Sequence, residues 1–367
     1  MKIGIIDADL LNKTRHRFPN LASMKISGYF KEQGHNVELL LSYDNLDQYD
    51  KVYISKVFTD TPVPEDALKM NNVEYGGTGF FFDKAPDLPY EIEHHMPDYH
   101  LYDKFIEQEI KRGINEKEFD EFTKYSIGYT VRGCIRKCKF CVNQKFNKAI
   151  LHSPIEEFLD PSRPYICLLD DNVFACKDYK KVFDDLKETG KRFKFKQGLD
   201  ERLLNNNKLI MLLNSKYIGS LTFAFDNIED KNIIIDKLEL LRKLDQKKIP
   251  MFYVLCGFDR ENKYNEEFWK QDIIDTFERI KILMKYKCIP YIMRFEKYKD
   301  SPYRGMYINL ARWCNQPSFY KKKSFREFCN MEGNGKATLK YYNQFRKIYP
   351  EIDKEYFDLK FEDLKKY

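Results

Sequence analysis

The chain has 367 residues, 43% of them hydrophobic and 16% aromatic, enough apolar surface to offset the entropy of ordering and to exclude a disordered chain. Its 63 basic and 57 acidic residues are mixed along the length, and a net charge of +6 is too even a balance to point to nucleic acid. No run reaches the ~18 continuous apolar residues of a membrane span, and the opening MKIGIIDADLL is cut by Asp7 and Asp9, so a first strand and a cytoplasmic protein are expected.

Along the chain, KIGIID reads as a strand, Leu21 to Gln33 as a helix ended by Gly34, and NVELLL and KVYISKVF as two further strands. That order predicts a small, open, Rossmann-like parallel α/β domain over residues 1–100, with Gly76, Gly77 and Gly79 in a tight turn of the same unit and a linker over 101–124. The stretch after the first strand carries Asp7, Asp9, Arg15, His16, Arg17 and Asn20. Ligands of open α/β sheets sit at the carboxyl ends of strands, and two arginines ahead of a helix start suit a phosphate or carboxylate. A solvated basic turn is the alternative.

From Tyr125 to about residue 300, YSIGYT, YICLLD, FKFKQG, SLTFAF, MFYVLCGF and IPYIMRFE alternate with amphipathic segments such as DYKKVFDDLKETG and IIDTFERIKILMKYK. Six β/α units in a row predict a parallel, curved sheet with outer helices, a partial (β/α)6 barrel. The basic stretches 190–196 and 321–323 read as solvated surface. Residues 301–367 read as a helical extension, in which Tyr303, Arg304, Arg312, Trp313 and Asn315 are candidates to close the open side of the barrel and stack on a base, with core packing the favoured reading for most aromatics of 301–320.

GCIRKCKFC places Cys134, Cys138 and Cys141 on the loop after the first barrel strand, with Phe140 before the last thiol. The other six cysteines, Cys167, Cys176, Cys256, Cys288, Cys314 and Cys329, are scattered singly among apolar neighbours and read as core. A structural zinc needs four protein ligands, and the fourth is missing locally, since only His152 lies between the loop and Cys167. A catalytic zinc with one water is the alternative to a [4Fe–4S] cluster with one iron free of protein ligand.

CxxxCxxC on a first βα loop, with an aromatic before the last Cys, resembles the radical S-adenosylmethionine superfamily, and GYTVRGCIRKCKFCVNQ is similar to its members throughout. The resemblance implies a [4Fe–4S] cluster on Cys134, Cys138 and Cys141, S-adenosylmethionine chelated at the open iron, and a 5′-deoxyadenosyl radical that takes hydrogen from the substrate. It implies an external electron donor such as flavodoxin or ferredoxin. S-adenosylmethionine contacts are expected at Phe140, at Asp170, Asp171 and Asn172 after the second strand, and at Gln197 and Asp200 after the third, in a stretch that also carries Arg202. Asp226, Cys256 and Gly257 take the same part at later strand ends, and Arg294 and Glu296 at the sixth are expected to contact substrate, as are Arg304, Arg312 and Trp313. For many of these, helix capping or a plain turn is the alternative.

The first domain resembles the cobalamin-binding-like domain that precedes the barrel in one branch, but it lacks the Asp-x-His-x-x-Gly pattern that ligates cobalt from below. It is therefore expected to hold substrate without cobalamin. No cysteine precedes Cys134, which removes the second cluster of the tRNA methylthiolases. Within the superfamily the whole-chain arrangement resembles the queuine lyases, which release a 7-deazaguanine base from queuosine 5′-phosphate. That resemblance implies a small, nucleotide-like anionic substrate, with Arg15 and Arg17 at its phosphate. A macromolecule modifier and a non-catalytic iron–sulfur protein are the other readings.

Overall fold

The computed structural model describes residues 1–12 and 18–364. The chain divides into two compact units, Met1–Lys196 and Gln197–Tyr367. The fold is mixed α/β, with every sheet of three or more strands parallel.

In the first unit, β1 (Lys2–Asp7), β2 (Asn36–Leu39), β3 (Lys51–Ser55) and β4 (Val73–Gly76) form one sheet in the order β2-β1-β3-β4. Sequence periodicity reveals the first three; β4, VEYG, is short and has no buried residue, so it carries no strand signal. The helix Leu21–Glu32 covers one face, where Met24, Ile26 and Phe30 pack with Ile3 and Ile5. On the other face Ile6, Val52, Ile54 and Ala67 form a second core. Both faces are covered, as a parallel sheet requires.

The same unit continues through β5 (Tyr125–Gly128), a two-residue hairpin of β6 (Val131–Arg132) and β7 (Ile150–Leu151), then β8 (Tyr165–Leu168) and β9 (Arg192–Phe195). Parallel pairing in the order β5-β8-β9 aligns Ile127 with Cys167 and Lys194. Arg163, buried, ties the entry to this sheet: it donates to the carbonyls of Phe122 (2.6 Å), Tyr125 (3.1 Å) and Tyr99 (3.0 Å) and lies over the Tyr99 ring.

In the second unit β10 (Thr222–Ala224), β11 (Met251–Cys256) and β12 (Ile289–Arg294) form a parallel sheet, and Leu199 bridges to Phe223. Buried Arg279, on the helix Glu266–Lys285, gathers strand ends by donating to the carbonyls of Phe225 (3.0 Å), Asp226 (2.9 Å) and Leu255 (2.9 Å). After β12 the described residues form helices and turns, the longest helices being Arg304–Cys314 and Lys336–Ile348. All six scattered cysteines are buried, as their apolar neighbours suggest. Among the described residues no helix is long and apolar enough to cross a membrane.

Gly128, at the end of β5, faces the buried Phe158 ring so closely that an added Cβ would lie 2.3 Å from Phe158 Cγ. Overpacking of that kind costs about 1–3 kcal/mol. Gly128→Ala is expected to lower the urea midpoint accordingly, and Gly128→Ala/Phe158→Leu to lose less than the sum of the single variants. A Gly128→Ala chain as stable as the parent would contradict this packing.

Candidate functional site

The thiol loop leaves β6 at Gly133 and returns at β7. Gly133 has φ +92°, and a Cβ there would stand 2.3 Å from the Lys148 carbonyl oxygen, so no other residue fits this turn without moving backbone. Cys134, Cys138 and Cys141 are all half-buried, unlike the other six cysteines. Cys134 Sγ accepts from Arg136 N–H at 3.3 Å and from Asn172 Nδ2 at 3.2 Å, and Cys141 Sγ accepts from Asn143 N–H at 3.4 Å. Cys141 N–H donates to the Cys138 carbonyl at 2.9 Å, Gln144 Nε2 donates to the same oxygen, and Lys137 Nζ reaches the Gln144 carbonyl at 2.7 Å.

The start of the loop and the residue two beyond the last thiol are both gripped from the turn after β8. Asp171 Oδ2 accepts from Gly133 N–H at 2.6 Å and its Oδ1 from Asn143 Nδ2 at 2.7 Å. Arg132 Nε stands 3.5 Å from the same carboxylate, and its guanidinium lies 4.2 Å over the Tyr129 ring. Asp170 turns the other way: its oxygens accept from Thr130 N–H (2.7 Å) and Thr130 Oγ1 (2.5 Å), and burial raises its carboxyl to about 7. The oxygens of these two aspartates, expected at S-adenosylmethionine, are bonded to the backbone and side chains that shape the loop.

Beside the loop lies a charged cluster that sequence reading does not anticipate. Glu93 Oε1 has Lys25 Nζ at 3.0 Å, His152 Nε2 at 3.6 Å and an Arg132 nitrogen at 4.0 Å. Burial, aided by Arg132 and Lys25 and opposed by Glu93, holds His152 down to about 4, so its ring is neutral at pH 7. The ring stacks on His94, which meets Glu157 at 2.8 Å. Arg132 is adjacent to the thiol motif in sequence and was open to inference; Lys25 and Glu93 come from distant segments and were not.

At the carboxyl edge of the first sheet, Asp7 accepts from Tyr102 Oη (2.9 Å) and Leu10 N–H (3.2 Å), and burial lifts it to about 6. Asp9 accepts from Val57 N–H (2.7 Å) and from Thr61 Oγ1. Asn20 caps the helix Leu21–Glu32 by accepting from Ser23 N–H and donates to Ser55 Oγ at 2.9 Å. These three, expected at substrate, are engaged within the fold. Arg15, His16 and Arg17 lie outside the described residues.

In the second unit Gln197 is exposed, and Asp200 pairs with Arg202 at 2.8 Å. Asp226 accepts from Leu255 N–H at 3.1 Å, and Gly257 N–H donates at 2.7 Å to Asp272, which also accepts from Tyr307 Oη. β11 alternates, and Cys256 falls with buried Phe252 and Val254, in line with its reading as a core cysteine, its thiol pushed well above its ordinary value by burial. Trp313, expected either at substrate or in the core, is 1% exposed, packs on Tyr320 and Phe325, and donates to the Lys323 carbonyl. Arg312 is exposed and bonded to Thr338 and Asn334; Tyr303 is buried, Asn315 bonds Ile292, and Arg304 and Glu296 are exposed. Arg294 lies over the Tyr298 ring at 4.6 Å, and Phe140 is half-buried beside Cys141. The 190–196 stretch is less solvated than its composition suggests, with Lys194 and Lys196 paired to Glu121 at 2.5 and 3.3 Å.

Among the described residues no three His, Cys, Asp or Glu side chains are grouped to hold a single metal ion. A cubane makes a different demand, one thiolate on each of several irons, and three half-buried sulfurs on one loop with N–H donors at two of them fit it.

No family model matches the chain, and no curated protein matches it. Two solved structures of the cobalamin-dependent S-adenosylmethionine radical enzyme OxsB, one with aqua-cobalamin bound and one apo and selenomethionine-labelled, align over the whole chain at 11% and 12% identity with TM-scores of 0.34 and 0.35. The chain spans 58% of the length of each. A likeness that loose carries no residue roles.

Asp170 binds its proton more tightly when folded than an ordinary aspartate, near 3.8, so its contribution to stability is present below about pH 4 and is lost as the pH rises through about 7. Asp170→Asn keeps an acceptor for Thr130 N–H and cannot ionise. It is expected to shrink the loss of stability between pH 5 and pH 8 by about 2 kcal/mol in urea titrations. An unchanged pH profile would show that Asp170 is already ionised in the folded chain.

Proposed function

We propose that this chain is a radical S-adenosylmethionine enzyme, in which Cys134, Cys138 and Cys141 hold a [4Fe–4S] cluster and the six strands β5 and β8 to β12 belong to one partial (β/α)6 barrel. The observation that carries the reading is the thiol loop: three half-buried cysteines between the strands of a hairpin, N–H groups aimed at two sulfurs, and Asp171 holding the loop on either side of the thiols. When bound, such a cluster supplies the electron that splits S-adenosylmethionine into methionine and a 5′-deoxyadenosyl radical. The chain's own part is to place the sulfurs, to limit water at them, and to orient substrate for removal of a hydrogen atom. Buried Asp170 and half-buried Asp171 do the first of these by fixing Thr130, Gly133 and Asn143.

The substrate in this reading is a small anionic molecule, and its most specific form is queuosine 5′-phosphate, cleaved to release queuine. That form rests on the order of the α/β domain, strands and helical tail, and on Arg15 and Arg17 as phosphate ligands. Cobalamin is not part of the reading, because the chain has no Asp-x-His-x-x-Gly pattern.

Anaerobic reconstitution with iron and sulfide is expected to give about four irons per chain, and reduction with dithionite in the presence of S-adenosylmethionine to give 5′-deoxyadenosine. Single Cys134→Ala, Cys138→Ala and Cys141→Ala variants are expected to lose 5′-deoxyadenosine formation. Full iron content and undiminished cleavage in all three would overturn the assignment.

A further inference from the structure

We propose that Asn172 is a positioning residue that sets the reduction potential of the cluster on the thiol loop, an inference that rests on the reading above. N–H groups of Arg136 and Asn143, both of the loop backbone, donate to loop sulfurs. A side chain from another element does so too: Asn172 Nδ2, 3.2 Å from Cys134 Sγ, on the turn that follows β8.

Asn172 is buried and its backbone is fixed. Its carbonyl accepts from Ala175 N–H at 3.1 Å, and the short turn that follows buries Val173 and Phe174. The residue before it, Asp171, binds Gly133 next to Cys134, so donor and sulfur are held from both sides. An N–H aimed at a ligand sulfur stabilises the state with more negative charge, which is the reduced one, and hydrogen bonds to sulfur are among the determinants of cluster potential. Cys134 receives two such bonds, so removal of one makes the cluster harder to reduce.

The test uses the full chain, reconstituted anaerobically, with no S-adenosylmethionine or substrate present. The midpoint is read from the EPR signal of the singly reduced cluster during a dithionite titration at one pH. Asn172→Leu, which removes the donor, is expected to shift the one-electron equilibrium about tenfold towards the oxidised cluster, about 59 mV lower, while iron content stays at the parent level. Asn172→Asp, which removes the donor and adds negative charge, is expected to shift it at least as far in the same direction. An unchanged midpoint in both variants, or loss of the cluster from both, would overturn the proposal. Failure of the parent chain to take up iron would instead overturn the cluster assignment beneath it.

Discussion

The Asp171 carboxylate accepts from Gly133 N–H just before the three thiols and from the Asn143 side chain just after them, and the geometry of Cys134, Cys138 and Cys141 depends on that pair of bonds. A loop of this length has many conformations, and holding three sulfurs in one arrangement means removing most of them. The carboxylate does so from a rigid place, the end of a strand whose last three residues are buried. Asp170, next to it, fixes Thr130 just before the loop, so two adjacent residues of one strand end control both the approach to the motif and the motif itself.

A second constraint comes from charge. Arg132 is half-buried between Asp171, Glu93 and the Tyr129 ring, and Lys25 is buried against Glu93. Ions so placed are costly to leave unpaired, since breaking one partner of a buried pair strands the other. The cluster therefore ties the helix Leu21–Glu32 and the segment around Glu93 to the strand that leads into the thiol loop. On this account the first sheet is part of the support of the loop.

Much of this was legible in the amino-acid order, and the gaps have physical causes. Strands such as KIGIID and MFYVLC announce themselves by dense apolar and β-branched residues, whereas β4 has no buried position and the β6–β7 hairpin is two residues per strand. The thiols were legible because their spacing is local. Their supports were not: the bonds from Asp171 span 38 and 28 residues, and no local pattern records which oxygen of a strand-end aspartate meets which backbone group. Cys256 is instructive in the other direction, because its parity with Phe252 and Val254 already placed it on the covered face.

The account's central claim is that the loop holds a cluster with one iron open to S-adenosylmethionine. The most direct measurement is the EPR spectrum of the reduced, reconstituted chain before and after S-adenosylmethionine is added, without substrate. Binding at the open iron is expected to change the g values and line shape, and a Cys138→Ala chain is expected to show no such change. A reduced cluster whose spectrum is the same with and without saturating S-adenosylmethionine would contradict the claim, whatever its iron content.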